Sequence, residues 1–334
     1  KSVLDIEGVY SYTTVLMGSP ILLKLFKFDE QLVSHIFGVI KHYEDIFTVN
    51  RDQSEVMDIN HAAGIHPVSV SQPVFDLIKI GKQASLIPHS SFNLAIGPLV
   101  KLWKIGFKGD KVPPDNEIQE ALLKTNPEQI GIDIPTKSVF LLQQGMEIDL
   151  GAIAKGYIAD RVRDYLLHEK INQGLINLGG NILTLGAPTG FWSIGLRKPF
   201  SKKKDQDENA DEQFVGTIEL ENMSVVTSGI YERYFEQDGK LYHHILDPKT
   251  GYPINNELDS VTIISKNSID GDIWSTLIFG MGLEKGYQVA SRKPDLEGIF
   301  LTKNHEIFIT STEKFRFKLI DESYHIVDFN SRNK

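Results

Sequence analysis

The sequence predicts an α+β fold, mainly antiparallel sheets with helices packed against them. Helical patterns and short strand-like runs mix without the regular alternation of a parallel βαβ series. Several strand-like runs meet at tight turn signals such as Asp238-Gly239 and Gln144-Gly145, which favour hairpins. With 334 residues, 41% hydrophobic and 10% aromatic, the chain can bury a substantial core as one large unit or as two intimately associated lobes. Residues 1–14 read as an N-terminal tail, a trimmed or processed end, and 15–334 as a single unit.

Taken in order, a strand is expected over Ile21 to Phe26, and Asp29 then caps a helix whose inner face is Val33, Ile36, Phe37, Ile40 and Tyr43. Ser71 with Pro73 opens a second helix through Leu77 and Ile78, and a third starts at Asp115 after two prolines. Val139 to Gln143 reads as a strand, and Gly151 to Leu167 as a helix with Ile153, Tyr157, Val162 and Leu166 inward. Further strand runs are Gly174 to Leu185, Phe191 to Leu196, Phe214 to Leu220, Ile230 to Phe235, Leu241 to Leu246 and Ser260 to Ser265. Asp270 to Met281 is the last substantial helical stretch. Ser201 to Gln213, with three consecutive lysines and five acids, reads as a mobile charged loop.

Lys and Arg number 35 against 44 Asp and Glu, so the net charge of −9 gives no electrostatic footprint for nucleic acid. An anionic ligand must then meet a local cation. The absence of cysteine excludes thiol nucleophiles, disulfides, thiolate zinc sites and iron–sulfur clusters. The sequence has no apolar run of about 18 residues that could span a bilayer.

Candidate chemistry lies in short glycine- and hydroxyl-rich segments. Asp149 to Gly156 sits where a strand yields to a helix, so free backbone N–H groups and Lys155 can face one anion; a purely structural turn is the alternative. Asn177-Leu178-Gly179-Gly180-Asn181 is either a hairpin turn or a point of close ligand approach. Thr227 to Arg233 offers hydroxyls, a glycine and a cation. Of adjacent His243 and His244 only one can face inward, and an inward histidine beside an Asp is a candidate general base; the alternative is a satisfied structural histidine. Asp272 and Thr276, one helical turn apart, suit a hard cation, unless Asp272 is a cap or a buried hydrogen-bond acceptor.

Together Met17-Gly18-Ser19, Ser54-Glu55 with Asn60, Phe92-Asn93-Leu94 leading to Trp103, Asp149 to Asp160, Asn177 to Asn181, Thr227 to Arg233, His244 to Pro253 and Asp272 to Thr276 resemble the ApbE family of FAD:protein FMN transferases. The resemblance implies a site for FAD and Mg2+ in the cleft between the two lobes. It implies magnesium ligands at the backbone oxygen of Ala152 and the side chains of Asp272 and Thr276, an FAD-binding lysine at Lys155 and a catalytic base at His244. Met17, Asn50, Ser91, Phe92, Asn93, Asp149 and Ile245 match positions touching FAD, with Gly179, Gly180, Thr227, Ser228 and Gly229 lining the same site. Asn50 replaces an aromatic residue common in the family, and Ser275 a common Asp.

The resemblance further implies Mg2+-dependent transfer of FMN from FAD to a threonine of an acceptor protein, with AMP released. The alternatives are hydrolysis of FAD to FMN and AMP, or a non-catalytic FAD carrier. It implies an extracytoplasmic place at the bacterial cell membrane, as a lipoprotein attached peripherally through a lipid anchor absent from this chain.

Overall fold

The computed structural model describes residues 2–4, 8–187, 190–201 and 213–333. Most of the expected charged loop, residues 202–212, lies outside them.

Strands β1 (Ser2–Leu4), β2 (Tyr10–Leu16) and β3 (Ser19–Leu25) form an antiparallel meander. Its β2–β3 turn is Met17-Gly18, with φ of 54° and 64°, the backbone of a tight hairpin. The expected boundary at residue 15 falls inside β2, because Tyr12 is core at 4% exposure and its hydroxyl accepts from Asp29 N–H. Helix α1 (Glu30–Phe47) is capped by Asp29 as expected, and buries Val33, Ile36, Ile40 and Phe47. Helix α2 (Glu55–His61), capped by Ser54, precedes β4 (Val68–Ser69) and α3 (Gln72–Ser85). Two short helices follow, α4 (Gly97–Trp103) and α5 (Asp115–Leu122). Strands β5 (Ile130–Asp133) and β6 (Ser138–Leu141) make a small sheet with β4. Gln144-Gly145 joins no hairpin: the chain runs on irregularly to α6 (Ala154–His168).

The expected run Gly174 to Leu185 is a hairpin of β7 (Gly174–Leu178) and β8 (Asn181–Leu185) turning at Gly179-Gly180. Strands β9 (Trp192–Arg197) and β10 (Phe214–Leu220) precede β11 (Ser224–Gly229). The strand expected over Ile230 to Phe235 is instead a turn followed by β12 (Tyr234–Gln237), since Ile230 N–H goes to Asp259 and the Arg233 carbonyl turns to His244. Asp238-Gly239 then makes the expected tight turn into β13 (Lys240–His243).

After β14 (Leu258–Ser265) comes α7 (Ser268–Met281), which is not the last helix: Gly282, at φ 79°, breaks the chain into α8 (Leu283–Ser291). Strands β15 (Leu296–Thr302), β16 (Glu306–Ile309), β17 (Arg316–Leu319) and β18 (His325–Ile326) finish the fold.

Ten strands form one sheet in the order β1-β2-β3-β7-β8-β11-β14-β15-β16-β18, antiparallel except for β16–β18. Helix α7 packs against α6, α8, β11 and β14. That position explains a helix apolar almost all round, which buries Ile273, Leu277, Ile278 and Phe279 and keeps Gly271 against Val226.

Candidate functional site

The site is built where the turns β2–β3 and β7–β8, the start of α6 and the first turns of α7 converge. Asp272 is its hub. The carboxylate is 7% exposed, with Oδ2 accepting from Gly156 N–H at 2.7 Å and Oδ1 from Asn181 Nδ2 at 2.8 Å. A Cβ on Gly156 would stand 2.4 Å from Asp272 Oδ2, so only glycine lets α6 come this close. Burial outweighs both hydrogen bonds and the nearby Lys155 charge, and pushes the Asp272 carboxyl up to about 7. One turn on, Thr276 Oγ1 sits 3.3 Å from the Asp272 carbonyl it donates to. Ala152 lies in the exposed turn that leads into α6.

A buried carboxylate held by neutral donors, with a hydroxyl beside it, is a hard-oxygen set that suits a cation such as Mg2+. Among the described residues no group of three or more His, Cys, Asp or Glu is placed to hold a metal. A cation here would need backbone, water and ligand oxygens to complete its shell. Ser275 adds none from its hydroxyl, which is bonded to Ser228 Oγ at 2.7 Å.

Lys155, in the first turn of α6, points its ammonium at Ser19 Oγ, 3.0 Å away. Gly179, at φ 59°, borders it: a Cβ there would stand 2.7 Å from Lys155 Nζ. Gly180 N–H donates to Asn177 Oδ1, closing the turn. Burial, then the charge of Arg233, lowers the Lys155 pKa. Met17 lies in the facing hairpin turn.

His244 directly follows β13. Its backbone N–H donates to the Arg233 carbonyl at 3.1 Å, and Nδ1 lies 3.3 Å from the same oxygen. That partner assigns the proton to Nδ1 and leaves Nε2 as the acceptor, 4.0 Å from Glu232 Oε2. Burial, then Arg233, lowers the His244 pKa to about 4, so the ring is neutral at neutral pH. The Glu232 side chain keeps 39% of its surface exposed, yet the protein around it desolvates the carboxyl and raises it to about 7.

The expectation of an inward base beside an Asp is corrected. The inward histidine is His243, 4% exposed and fully engaged, with Nε2 2.6 Å from the Ile254 carbonyl and Nδ1 accepting from Ile245 N–H. Asp247 accepts instead from Lys249 N–H.

The remaining candidates spread more widely. Asp149 Oδ1 accepts from Gly151 N–H at 2.7 Å, and burial raises its pKa. Ser91 Oγ donates to the Thr276 carbonyl at 2.8 Å, tying its loop to α7. It also borders a cavity of about 740 Å3 that follows α7 towards Gly280 and is not lined by Asp272 or Lys155. Asn93 braces its own loop through Ala95 and Thr125. Phe92, 3% exposed, belongs to the core, as does Ile245 at 7%. Thr227 pairs with Thr262 across β14, and Gly229 ends β11 against Tyr231. Asn50 is exposed after α1, and the hydrogen bond it makes is within its own turn to Thr48.

Sequence reasoning missed Ser19, Asp160, Asn181 and Glu232 as individual contributors. All four lie inside or at the ends of the motifs it quoted, so the signal was there without the partner.

Comparison with known proteins places this geometry. The model of the ApbE family matches residues 17–300. A FAD:protein FMN transferase of Klebsiella pneumoniae is 58% identical over 96% of this chain and 98% of its own length. Another from Treponema pallidum is 32% identical, covering 87% and 83%. Among solved structures, the ApbE protein of Thermotoga maritima superposes with a TM-score of 0.77 at 30% identity, covering 90% of this chain and 96% of its own. The flavin transferase ApbE of Vibrio cholerae gives 0.76 at 27% identity, covering 95% and 98%.

Proposed function

Because the chain belongs to the ApbE family, we propose that it moves FMN from FAD to a threonine hydroxyl of an acceptor protein, with Mg2+ as cofactor and AMP as the second product. It is a transferase that passes flavin from FAD to a protein. The observation that carries the finer reading is a buried carboxylate and a largely buried ammonium at the start of α6: Asp272 accepts from the N–H of Gly156, the residue after Lys155, yet among the described residues the two side chains form no ion pair. Each is then open to a third party, and a pyrophosphate with its cation fits both.

Asp272, Thr276 and the Ala152 carbonyl would hold Mg2+, which would supply charge neutralisation at the phosphate oxygens. Lys155 holds the pyrophosphate from the other side, its ammonium aimed by Ser19. The threonine oxygen bonds to the FMN phosphorus, the bridging P–O bond breaks, and its electron pair leaves with AMP. His244 Nε2, neutral and free to accept, takes the threonine proton. No covalent enzyme intermediate is needed. The site lies in the cleft between two closely packed lobes. The enzyme works at the extracytoplasmic face of the bacterial cell membrane as a lipid-anchored, peripheral lipoprotein; among the described residues no helix is long and apolar enough to cross a membrane.

Mass spectrometry of a flavin-free extracytoplasmic acceptor, incubated with the enzyme, FAD and Mg2+, should show one FMN on a threonine and one equivalent of AMP. Changing that threonine to alanine should stop labelling. Steady cleavage of FAD to FMN and AMP with every acceptor unlabelled would make the protein a pyrophosphatase instead.

A further inference from the structure

Arg233 is a cation that its surroundings hold in place without neutralising. Its stem passes Gly106, at φ 82°, where a Cβ would stand 2.6 Å from Arg233 Cδ, and its guanidinium carbon lies 5.0 Å from the centre of the Phe107 ring. The side chain is exposed, and among the described residues it makes no ion pair. Its sequence neighbour Glu232 lies 4.0 Å from His244 instead.

The charge nevertheless reaches the site from one side to the other. It favours ionised Asp149 and Glu232, and disfavours charge on Lys155 and His244. Both cations lie on segments tied to α7, Arg233 on the one whose Ser228 bonds Ser275 and Lys155 beside Gly156, whose N–H bonds Asp272; with neither bound to a carboxylate, they repel unless an anion joins them. In a chain of net charge −9 such an arrangement is not a by-product of excess base.

We infer that Arg233 binds the FMN-side phosphate of FAD, its guanidinium joining Lys155 on the pyrophosphate. This deepens the transferase reading and rests on it. A guanidinium presents paired N–H donors that match phosphate oxygens, which an ammonium does not. The choice of phosphate follows from the backbone: the Arg233 carbonyl orients His244, whose Nε2 must stand beside the hydroxyl attacking the FMN phosphorus. Arg233 thus joins the grip on the reacting phosphate to the position of the base.

The test is equilibrium binding of FAD to the whole chain with Mg2+ and no acceptor, at low and high salt, for wild type, Arg233→Gln and Arg233→Lys, with melting temperature alongside. Arg233→Gln should weaken FAD about tenfold to a hundredfold at low salt, the gap narrowing as salt rises. Arg233→Lys should recover part of the loss, and the melting temperature should hardly move. FMN should feel the substitution and AMP should not. An unchanged FAD affinity overturns the proposal. So does a salt-independent loss shared equally by the lysine variant, which marks a packing role, and an effect on AMP in place of FMN overturns the choice of phosphate. Because no acceptor is present, failure to label any acceptor would count against the transferase reading and leave this measurement standing.

Discussion

Asp272 has two jobs that a single substitution separates. Its oxygens satisfy Gly156 N–H and the Asn181 amide, and its charge is what a cation would bind. Asp272→Asn keeps the shape but sets an amide donor against one of those donors. The folded state should lose about 1–3 kcal/mol, and FMN transfer should fall on the order of a hundredfold or more. Denaturant unfolding reads the first effect and rate of acceptor labelling the second; a variant that transfers at the wild-type rate removes Asp272 from the metal site. This double role shows what the sequence made legible at the site. The i, i+4 spacing set Asp272 and Thr276 on one helical face, and the glycine-rich turns pointed to Lys155 and Gly179. It could not show that Asn181 reaches Asp272 from 91 positions away, or that Arg233 offers its carbonyl to His244, because those partners meet only through tertiary packing. The histidine pair is the sharpest case. Alternation on a strand required opposite faces, but only tertiary packing, which buries His243 and leaves His244 partly exposed, decided which ring was structural.

Helix α7 carries Asp272 and Thr276, the side chains proposed to hold Mg2+, and its start is fixed from outside the helix. Its own N-cap residue, Asn267, makes no capping bond, while Asp160 of α6 accepts from Ser268 N–H at 2.7 Å and from Ile269 N–H at 3.1 Å. Arg163 adds bonds to the Lys266 carbonyl and to Asn267. A carboxylate from one helix thus caps the next, where it also meets the positive end of the dipole. Asp160→Ala leaves one buried and one part-buried donor unmet and should cost about 1–3 kcal/mol of stability. Transfer should fall with it, and excess Mg2+ should recover part of the rate; normal transfer in the folded variant would mean that α7 holds its register without this cap. Local signals revealed the helices with clear caps or prolines, α1, α3 and α5, and the strands next to tight turns. They missed β15, an interior strand of the ten-stranded sheet, and α8, which packs on it, and they could not foresee β3 pairing with β7 across the whole of α1 to α6. Pairing at that distance leaves no local pattern.

Over the whole molecule, pH and salt act on different charges. Buried His243 is held at about 4 against 6.5 for a free ring. A depressed histidine adds stability that is complete above pH 6.5 and lost as the pH falls towards 4, here about 3 kcal/mol. Raised carboxyls such as Asp149, Glu232 and Asp272 run the other way, so the measurement is a difference. Between pH 7 and 4 the unfolding free energy of wild type should drop more than that of His243→Gln; parallel curves would show that His243 does not titrate in this range. Salt instead tests how an acidic protein admits an anion. With a net charge of −9, the long-range field opposes FAD, and only local cations such as Lys155 reverse it. Lys155→Ala removes the ammonium that Ser19 aims and should weaken FAD binding about tenfold at low salt. As ionic strength rises, the screening length shortens from about 30 Å at 0.01 M to about 10 Å at 0.1 M, which quiets the repulsion between FAD and the rest of the chain. The variant, left with that repulsion and without Lys155, should therefore gain relative to wild type as salt is added. Equal dissociation constants for the two proteins at every ionic strength would place Lys155 outside the phosphate site.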